Sequence, residues 1–207
     1  MTLRNRVARA AGAAVAIAAA SAAVSAPAQA GVLTTSATDC GTPEVSQPFK
    51  PWLDTSNYKL VGDFEHGAGG WTLTGGAKVV SGDATPLVGD AGDAWSLALP
   101  AGASATTPPV CVGVNDPTLR FFTRRSSGLL STLSVSVDVQ TSLGVWVTLP
   151  LGADLGGAWH PSAPMLVVAN LLPLLPNDQT AVRFRFAPLL AGSWQIDDVY
   201  VDPRSRY

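Results

Sequence analysis

A strict alternation of apolar and polar residues constrains the fold of this chain more than any other feature. Between Leu133 and Gln140 every second residue is Leu or Val, and the residues between them are Ser, Asp or Gln. A period of two also fits Leu119–Thr123, where Arg120 and Phe122 share the face opposite Leu119 and Phe121, and Ala181–Phe186, where two arginines alternate with Val182, Phe184 and Phe186. A period of two turns one face of a β-strand toward a core and the other toward water. The pattern therefore predicts antiparallel strands with one dry face and one wet face.

Short segments of this kind, separated by turn residues, recur after Tyr58. They number about nine, at intervals of roughly 8–15 residues, without an amphipathic helix of convincing length. Charged residues make up only 14% of the chain, and it contains 20 glycines and 16 prolines, which is typical of turn-rich β-proteins. Trp71–Thr74 and Ala77–Val80 flank Gly75-Gly76 and predict a β-hairpin. The predicted fold is all-β, an antiparallel two-sheet β-sandwich of the jelly-roll type.

The chain divides into three predicted regions. Met1–Ala30 begins with arginines, continues with an Ala/Val run and ends in Ala-Gln-Ala, which is typical of a secretory signal peptide. Residues 31–57 are rich in Thr, Ser and Pro and predict an irregular arm, and residues 58–207 carry the predicted sandwich. Within it, Met165–Pro176 predicts a strand followed by a crossover loop, because its prolines interrupt regular structure. We therefore expect a secreted, extracellular protein.

The chain has two cysteines, Cys40 and Cys111, both after the predicted signal peptide. An even number of cysteines in an exported protein predicts a disulfide bond. The bond would close a loop of about 70 residues and stabilise the fold by roughly 4 kcal/mol in the chain-entropy model. The alternative is a pair of buried free thiols.

Charge and hydropathy exclude several functional classes. Without residues 1–30 the chain has 10 Lys and Arg against 15 Asp and Glu, a net charge of −5. Such a chain lacks the basic surface of a nucleic-acid binder. No apolar run long enough for a membrane helix remains after signal cleavage. We also expect no enzyme, because His66 and His160 lie far apart without a nucleophile motif or zinc-ligand spacing beside them.

Two fragments at the ends of the predicted sandwich resemble a known family. The first is G-D-F-E-H-G-A-G-G-W-T-L, from Gly62 to Leu73, and the second is W-Q-I-D-D-V-Y-V-D-P, from Trp194 to Pro203. They resemble jelly-roll carbohydrate-binding modules of galactose-binding-like topology. The chain as a whole is similar to small secreted proteins of uncharacterised function from high-GC Gram-positive bacteria. The resemblance implies a jelly-roll fold and a glycan or cell-wall polysaccharide as partner.

The resemblance also implies a structural calcium ion. In these modules an ion commonly lies between the first and last strands, and the matching positions here are Glu65 and Asp198, followed by Asp63 and Asp197. Carboxylates and backbone carbonyls supply the oxygen ligands that Ca²⁺ takes. The alternative is that these acids end strands and accept hydrogen bonds from backbone N–H groups.

Sugar recognition needs an aromatic ring for the C–H face of a sugar and planar polar groups for its hydroxyls. In Val145–Leu149 the valines and the leucine share the predicted core face, so Trp146 points the other way. Trp159 lies in a glycine-containing loop and is a second candidate, whereas Trp71, Trp95 and Trp194 are predicted core residues. The predicted ligand-binding residues are Trp146, Trp159, Arg120, Asp138, Gln140, Arg183 and Arg185. The alternative is an ordinary solvated face with a tryptophan half-covered by a loop.

These features predict a secreted, non-catalytic carbohydrate-binding or lectin-like module. A structural or protein-interaction domain of the cell envelope is the first alternative, for which Leu171–Leu175 would supply an apolar contact. A glycoside hydrolase is a weaker alternative, because it requires two placed carboxylates and no pair stands out.

Overall fold

The computed structural model describes residues 44–83, 92–113, 118–141, 144–167 and 179–202. The predicted signal peptide, Cys40 and Leu171–Leu175 lie outside these ranges. Within them the chain forms fourteen strands and a short 3-10 turn at Lys50–Trp52. No helix in these ranges is long and apolar enough to cross a membrane. The strands are β1 (Val45–Ser46), β2 (Tyr58–Gly62), β3 (Thr72–Thr74), β4 (Lys78–Ser81), β5 (Trp95–Leu99), β6 (Ser104–Thr106), β7 (Val110–Val112), β8 (Thr118–Ser127), β9 (Thr132–Gln140), β10 (Trp146–Asp154), β11 (His160–Pro161), β12 (Met165–Leu166), β13 (Thr180–Leu189) and β14 (Ser193–Asp202).

The strands form two antiparallel sheets. The six-stranded sheet has the order β10-β9-β13-β6-β3, and β7 also pairs with β13. The eight-stranded sheet has the order β1-β2-β14-β5-β4; β8 pairs with β14 and also with β11 and β12. This arrangement confirms the predicted all-β, antiparallel two-sheet sandwich of the jelly-roll type.

The core lies between the two sheets and follows from the alternation along each strand. In β9, Leu133, Val135, Val137 and Val139 are buried, and the residues between them are half-buried. The eight-stranded sheet supplies an opposing layer that includes Leu97, Leu99, Phe121, Trp194 and Ile196. Each large apolar side chain buried in this way contributes about 1.5–3 kcal/mol. The prediction that Trp194 belongs to the core is confirmed, because its side chain has no exposed area.

The turn at Gly75-Gly76 carries the chain from one sheet to the other. β3, before the turn, pairs with β6 in the six-stranded sheet, whereas β4, after it, pairs with β5 in the eight-stranded sheet. Gly75 has φ +62°, and a Cβ there would lie 2.6 Å from the carbonyl oxygen of Gly102, so this turn requires glycine. The predicted hairpin is therefore wrong, because each strand finds its partner further along the chain.

Residues 44–57, the described part of the predicted arm, pack against the outer face of the eight-stranded sheet. β1 pairs with β2 and extends the sheet. The ring of Phe49 is fully buried and stacks on that of Phe122, with centroids 5.2 Å apart. Tyr58 and Tyr200 complete an outer aromatic cluster that consists of Phe49, Tyr58, Phe122 and Tyr200. The outward face of β8, predicted to be wet, is thus covered at this position.

Candidate functional site

An aromatic ring and two planar polar groups meet on the outer face of the six-stranded sheet. Trp146 begins β10 and lies opposite Gln140 of β9 in the strand register. The guanidinium carbon of Arg183, on β13, lies 4.1 Å from the centre of the Trp146 ring. All three residues are half-buried, so each retains accessible surface. A cation over an indole face in this geometry contributes about 0.5–1 kcal/mol at an exposed position and holds both groups in place.

A row of polar side chains continues from this group across the sheet. Thr148 Oγ1 donates a hydrogen bond to Asp138 Oδ1 over 2.5 Å. Asp138 in turn lies opposite Arg183 in the register of β9 and β13. The row therefore presents a hydroxyl, a carboxylate and a guanidinium side by side, which are the groups that bind sugar hydroxyls.

A second row lies one step further along the same strands. Arg185, which is exposed, lies between Ser136 and Thr106 in the register, and its Nη2 donates a hydrogen bond to Ser104 Oγ over 3.3 Å. Sequence reasoning missed Ser104 and Thr106, because β6 has only three residues and its place beside β13 follows from the sheet alone. We call the combined group the Trp146 surface; it consists of Trp146, Gln140, Asp138, Thr148, Arg183 and Arg185.

Arg120 does not belong to this surface, so the prediction that it shares a sheet face with Trp146 is wrong. It lies in β8 of the other sheet and is only 8% exposed. Its Nη1 donates hydrogen bonds to Asp54 Oδ2 over 2.7 Å and to the hydroxyl of Tyr58 over 3.0 Å. Its guanidinium carbon also lies 3.8 Å from the centre of the Phe49 ring. The side chain of Arg120 points away from the core, as the alternation predicts, but the arm covers this position.

Trp159 is half-buried and also lies away from the Trp146 surface. It precedes β11, packs against the outer aromatic cluster and therefore belongs to the outer face of the eight-stranded sheet. The guanidinium carbon of Arg124 lies 5.1 Å from the centre of its ring. The two predicted tryptophans thus occupy opposite faces of the sandwich.

Three residues with side chains predicted to face inward are exposed. Trp95, predicted for the core, is 43% exposed, although Leu97 and Leu99 of the same strand are fully buried. Val145 and Val147 share the inward phase but are 58% and 41% exposed, because β10 is the outermost strand of its sheet. A side chain that points inward by alternation is therefore buried only where the opposite sheet covers it.

Three of the four predicted calcium ligands accept hydrogen bonds from backbone N–H groups. Glu65 Oε1 accepts from the N–H groups of residues 94 and 95, over 2.9 and 2.8 Å. Asp63 Oδ1 accepts from the N–H of Glu65, and Asp197 Oδ1 accepts from the N–H of Asp198. These bonds match the strand-end role that the sequence analysis gave as the alternative. Among the described residues, no group of three or more His, Cys, Asp or Glu side chains is arranged to hold a metal ion.

Asp198, the fourth predicted ligand, is buried in a bulge of β14. The pairing of this strand with β8 shifts between Asp197 and Tyr200, and Asp198 has φ +49° and is 5% exposed. Burial raises the pKa of the Asp198 carboxyl to about 7, although a hydrogen bond from the Tyr200 hydroxyl opposes the rise. The pKa is raised further by the negative charges of three carboxylates, those of Asp93, Asp63 and Asp83.

An open cleft of about 350 Å³ lies beside Asp63, between the end of β2 and the loop that follows it. Its lining includes Glu44, His66 and Trp71. Trp71 is half-buried and packs on the core, and its ring lies edge-on to Phe64 with centroids 5.1 Å apart. The cleft is thus separate from the Trp146 surface, whose residues do not line it.

The fold is similar to solved structures of carbohydrate-binding modules. The CBM22-1–GH10 modules of Clostridium thermocellum endo-1,4-beta-D-xylanase 10B, complexed with xylohexaose, align with a TM-score of 0.51 and 13% identity. That alignment covers 70% of this chain and 29% of the xylanase chain, so the protein spans less than a third of that structure. The CBM22-1 xylan-binding domain of Paenibacillus barcinonensis Xyn10C aligns with a TM-score of 0.47 and 13% identity, over 72% of this chain and 97% of that domain.

No family profile and no curated protein matches the sequence. At 13% identity, the likeness to the xylanase module concerns the fold alone. The protein therefore has the jelly-roll sandwich fold that carbohydrate-binding modules also adopt.

Proposed function

We propose that this protein is a secreted, non-catalytic carbohydrate-binding module that binds a glycan on the Trp146 surface. The observation that carries the proposal is the Trp146 ring, which lies beside an amide, a guanidinium and a carboxylate on an outer sheet face. An indole ring covers the C–H face of a sugar ring, while such planar polar groups bind its hydroxyls.

The distribution of the polar groups over three neighbouring strands favours a chain-like glycan. Neighbouring strands of a sheet lie about 4.7–4.9 Å apart, so the polar groups of β10, β9 and β13 form a line across the sheet that an extended sugar chain can follow. The xylanase modules of similar fold, with a TM-score of 0.51, were solved with xylohexaose, which makes xylo-oligosaccharides suitable first probes. A glycan array with the protein lacking residues 1–30 extends the search to other cell-wall polysaccharides.

Isothermal titration of Trp146→Ala against the glycan that the wild-type protein retains tests the proposal. Loss of the stacking ring should weaken binding by at least about tenfold, which corresponds to about 1.4 kcal/mol. Trp95→Ala is the matched control, because it removes a half-exposed tryptophan from the other sheet. Equal affinity of the wild type and Trp146→Ala would refute this placement of the site.

A structural calcium ion near Asp198 also belongs to the proposal. The support is the buried Asp198 carboxyl, whose pKa is raised by burial and then by three further carboxylates. A divalent cation takes oxygen ligands of this kind and would offset their mutual repulsion. Since no three of the described acids are already arranged around an ion, binding requires side-chain rotation.

Thermal unfolding with calcium chloride and with a chelator tests this part separately. An ion that binds only the folded protein stabilises it by about 2.7 kcal/mol at 100 times its dissociation constant. Calcium should raise the Tm of the wild type but not that of Asp198→Asn. A wild-type Tm that is indifferent to calcium and to chelator would rule the ion out and leave the glycan site untouched.

A further inference from the structure

The stack of a tryptophan and an arginine on the Trp146 surface has a counterpart on the opposite sheet. There the guanidinium carbon of Arg124 lies 5.1 Å from the centre of the Trp159 ring. The Arg124 Nε also donates a hydrogen bond to Gln195 Oε1. Both outer faces thus carry the same three side-chain types together: a half-buried tryptophan, an arginine over its ring and a glutamine.

The strand register continues this second group across the eight-stranded sheet. Arg124 lies opposite Gln195, Gln195 lies opposite Ala98, and Ala98 lies opposite Lys78. Lys78 is exposed. Ala98, between Gln195 and Lys78 in the register, has only a methyl group as its side chain. We call this group the Trp159 surface; it consists of Trp159, Arg124, Gln195 and Lys78.

The loop that carries Trp159 is held by its own hydrogen bonds. Asp154 Oδ1 accepts from the N–H of Gly156 over 2.7 Å, and Arg125 Nη1 donates to the carbonyl oxygen of Leu155 over 2.7 Å. Gly156 has φ +75°, and a Cβ there would lie 2.5 Å from the ring of Trp194. These contacts hold the backbone that precedes Trp159, and its ring packs on the outer aromatic cluster and under Arg124. The ring is therefore positioned before any ligand binds, which reduces the ordering entropy that binding costs.

We propose that the Trp159 surface is a second carbohydrate-binding surface, so that one molecule holds two glycan segments on opposite faces of the sandwich. The inference rests on the proposed function of the Trp146 surface and extends it from one site to two. The ligand class follows from the same chemistry: an indole face for the C–H side of a sugar and guanidinium, amide and ammonium groups for hydroxyls. Because the two surfaces belong to different sheets, a single short oligosaccharide does not reach both, whereas separate strands of a polysaccharide do.

Two binding surfaces change the response to short and long ligands in different ways. Titration with a short ligand measures the number of sites. Binding to a polymer measures avidity, because two linked sites raise the effective local concentration of the ligand. We would titrate xylohexaose as the short probe and measure soluble xylan by affinity electrophoresis. The variants are Trp146→Ala, Trp159→Ala and the double variant, with Trp95→Ala as the control.

The wild type should bind two molecules of xylohexaose, each single variant one, and the double variant none. Each single variant should also bind xylan at least about tenfold more weakly than the wild type, whereas Trp95→Ala should not. Since Trp159 packs on the outer aromatic cluster, Arg124→Met provides a second variant of the same surface, and near-ultraviolet circular dichroism checks that each variant is folded.

One molecule of xylohexaose per wild-type protein, with loss in Trp146→Ala and no change in Trp159→Ala or Arg124→Met, would overturn the second surface and leave the proposed function intact. One molecule lost only in Trp159→Ala would instead overturn the assignment of the Trp146 surface. Absence of binding to xylohexaose, xylan and every glycan on an array would overturn both.

Discussion

Replacement of Asp198 by Asn should stabilise the protein at pH 8 and have little effect at pH 4. The substitution keeps the size of the side chain and suits the left-handed backbone at this position, which has φ +49° and which Asn adopts more readily than most residues. It removes only the capacity to ionise. The expected gain in the free energy of unfolding therefore equals the stability that the wild type loses when the buried carboxyl ionises.

The magnitude follows from the pKa of Asp198. Burial raises this pKa from its ordinary value of 3.8 to about 7. One pKa unit corresponds to about 1.4 kcal/mol, so the whole shift corresponds to about 4 kcal/mol. Between these two values the folded state keeps the proton that the unfolded state has released, so the free energy of unfolding falls as the pH rises through this window. Above pH 7 both states are ionised and the fall ends.

Urea unfolding in the presence of a chelator at pH 4, 6 and 8 measures the effect. We expect Asp198→Asn to exceed the wild type in free energy of unfolding by about 4 kcal/mol at pH 8, and to equal it within about 0.6 kcal/mol at pH 4. Glu44→Gln removes an exposed carboxyl and serves as the control for a change in net charge. The reasoning is refuted if the difference between the wild type and Asp198→Asn is the same at all three pH values.

Four further predictions concern the fold and its connections. Gly156→Ala should destabilise the protein by more than about 1 kcal/mol in urea unfolding, whereas Gly157→Ala, whose Cβ would meet no atom within 4 Å, should leave stability nearly unchanged. Arg120→Met should lower the free energy of unfolding by about 2 kcal/mol, because it removes a hydrogen bond between two charged groups, and limited proteolysis should then cut the arm faster. The hydrogen bond with Asp154 raises the pKa of His160. The stabilisation by protonated His160 is therefore complete below pH 6.5, the ordinary pKa of histidine, and is lost as the pH rises through the raised pKa of the folded state. The Tm difference between the wild type and His160→Gln should accordingly be larger at pH 5.5 than at pH 8. Iodoacetamide should label neither cysteine of the unfolded, unreduced protein, and labelling of both would disprove the predicted disulfide.

Local alternation determined much of the fold, because the side-chain period of a strand depends on neighbouring residues alone. Trp95–Leu99 was predicted with the bounds that β5 has, and β9 turns its valines inward as its sequence requires. The same argument placed Trp146 on an outward face. Secretion and the disulfide stay predictions, since residues 1–40 lie outside the described part of the chain.

The tertiary structure alone decided which outward faces meet and which are covered. Arg120 and Trp146 have the same outward phase, but they lie in different sheets, and the arm buries only Arg120. The strands on either side of Gly75-Gly76 also belong to different sheets, because β3 pairs with β6 and β4 pairs with β5. Strand partners and covering segments come from distant parts of the chain, so their choice depends on the packing of the whole core and not on any local pattern.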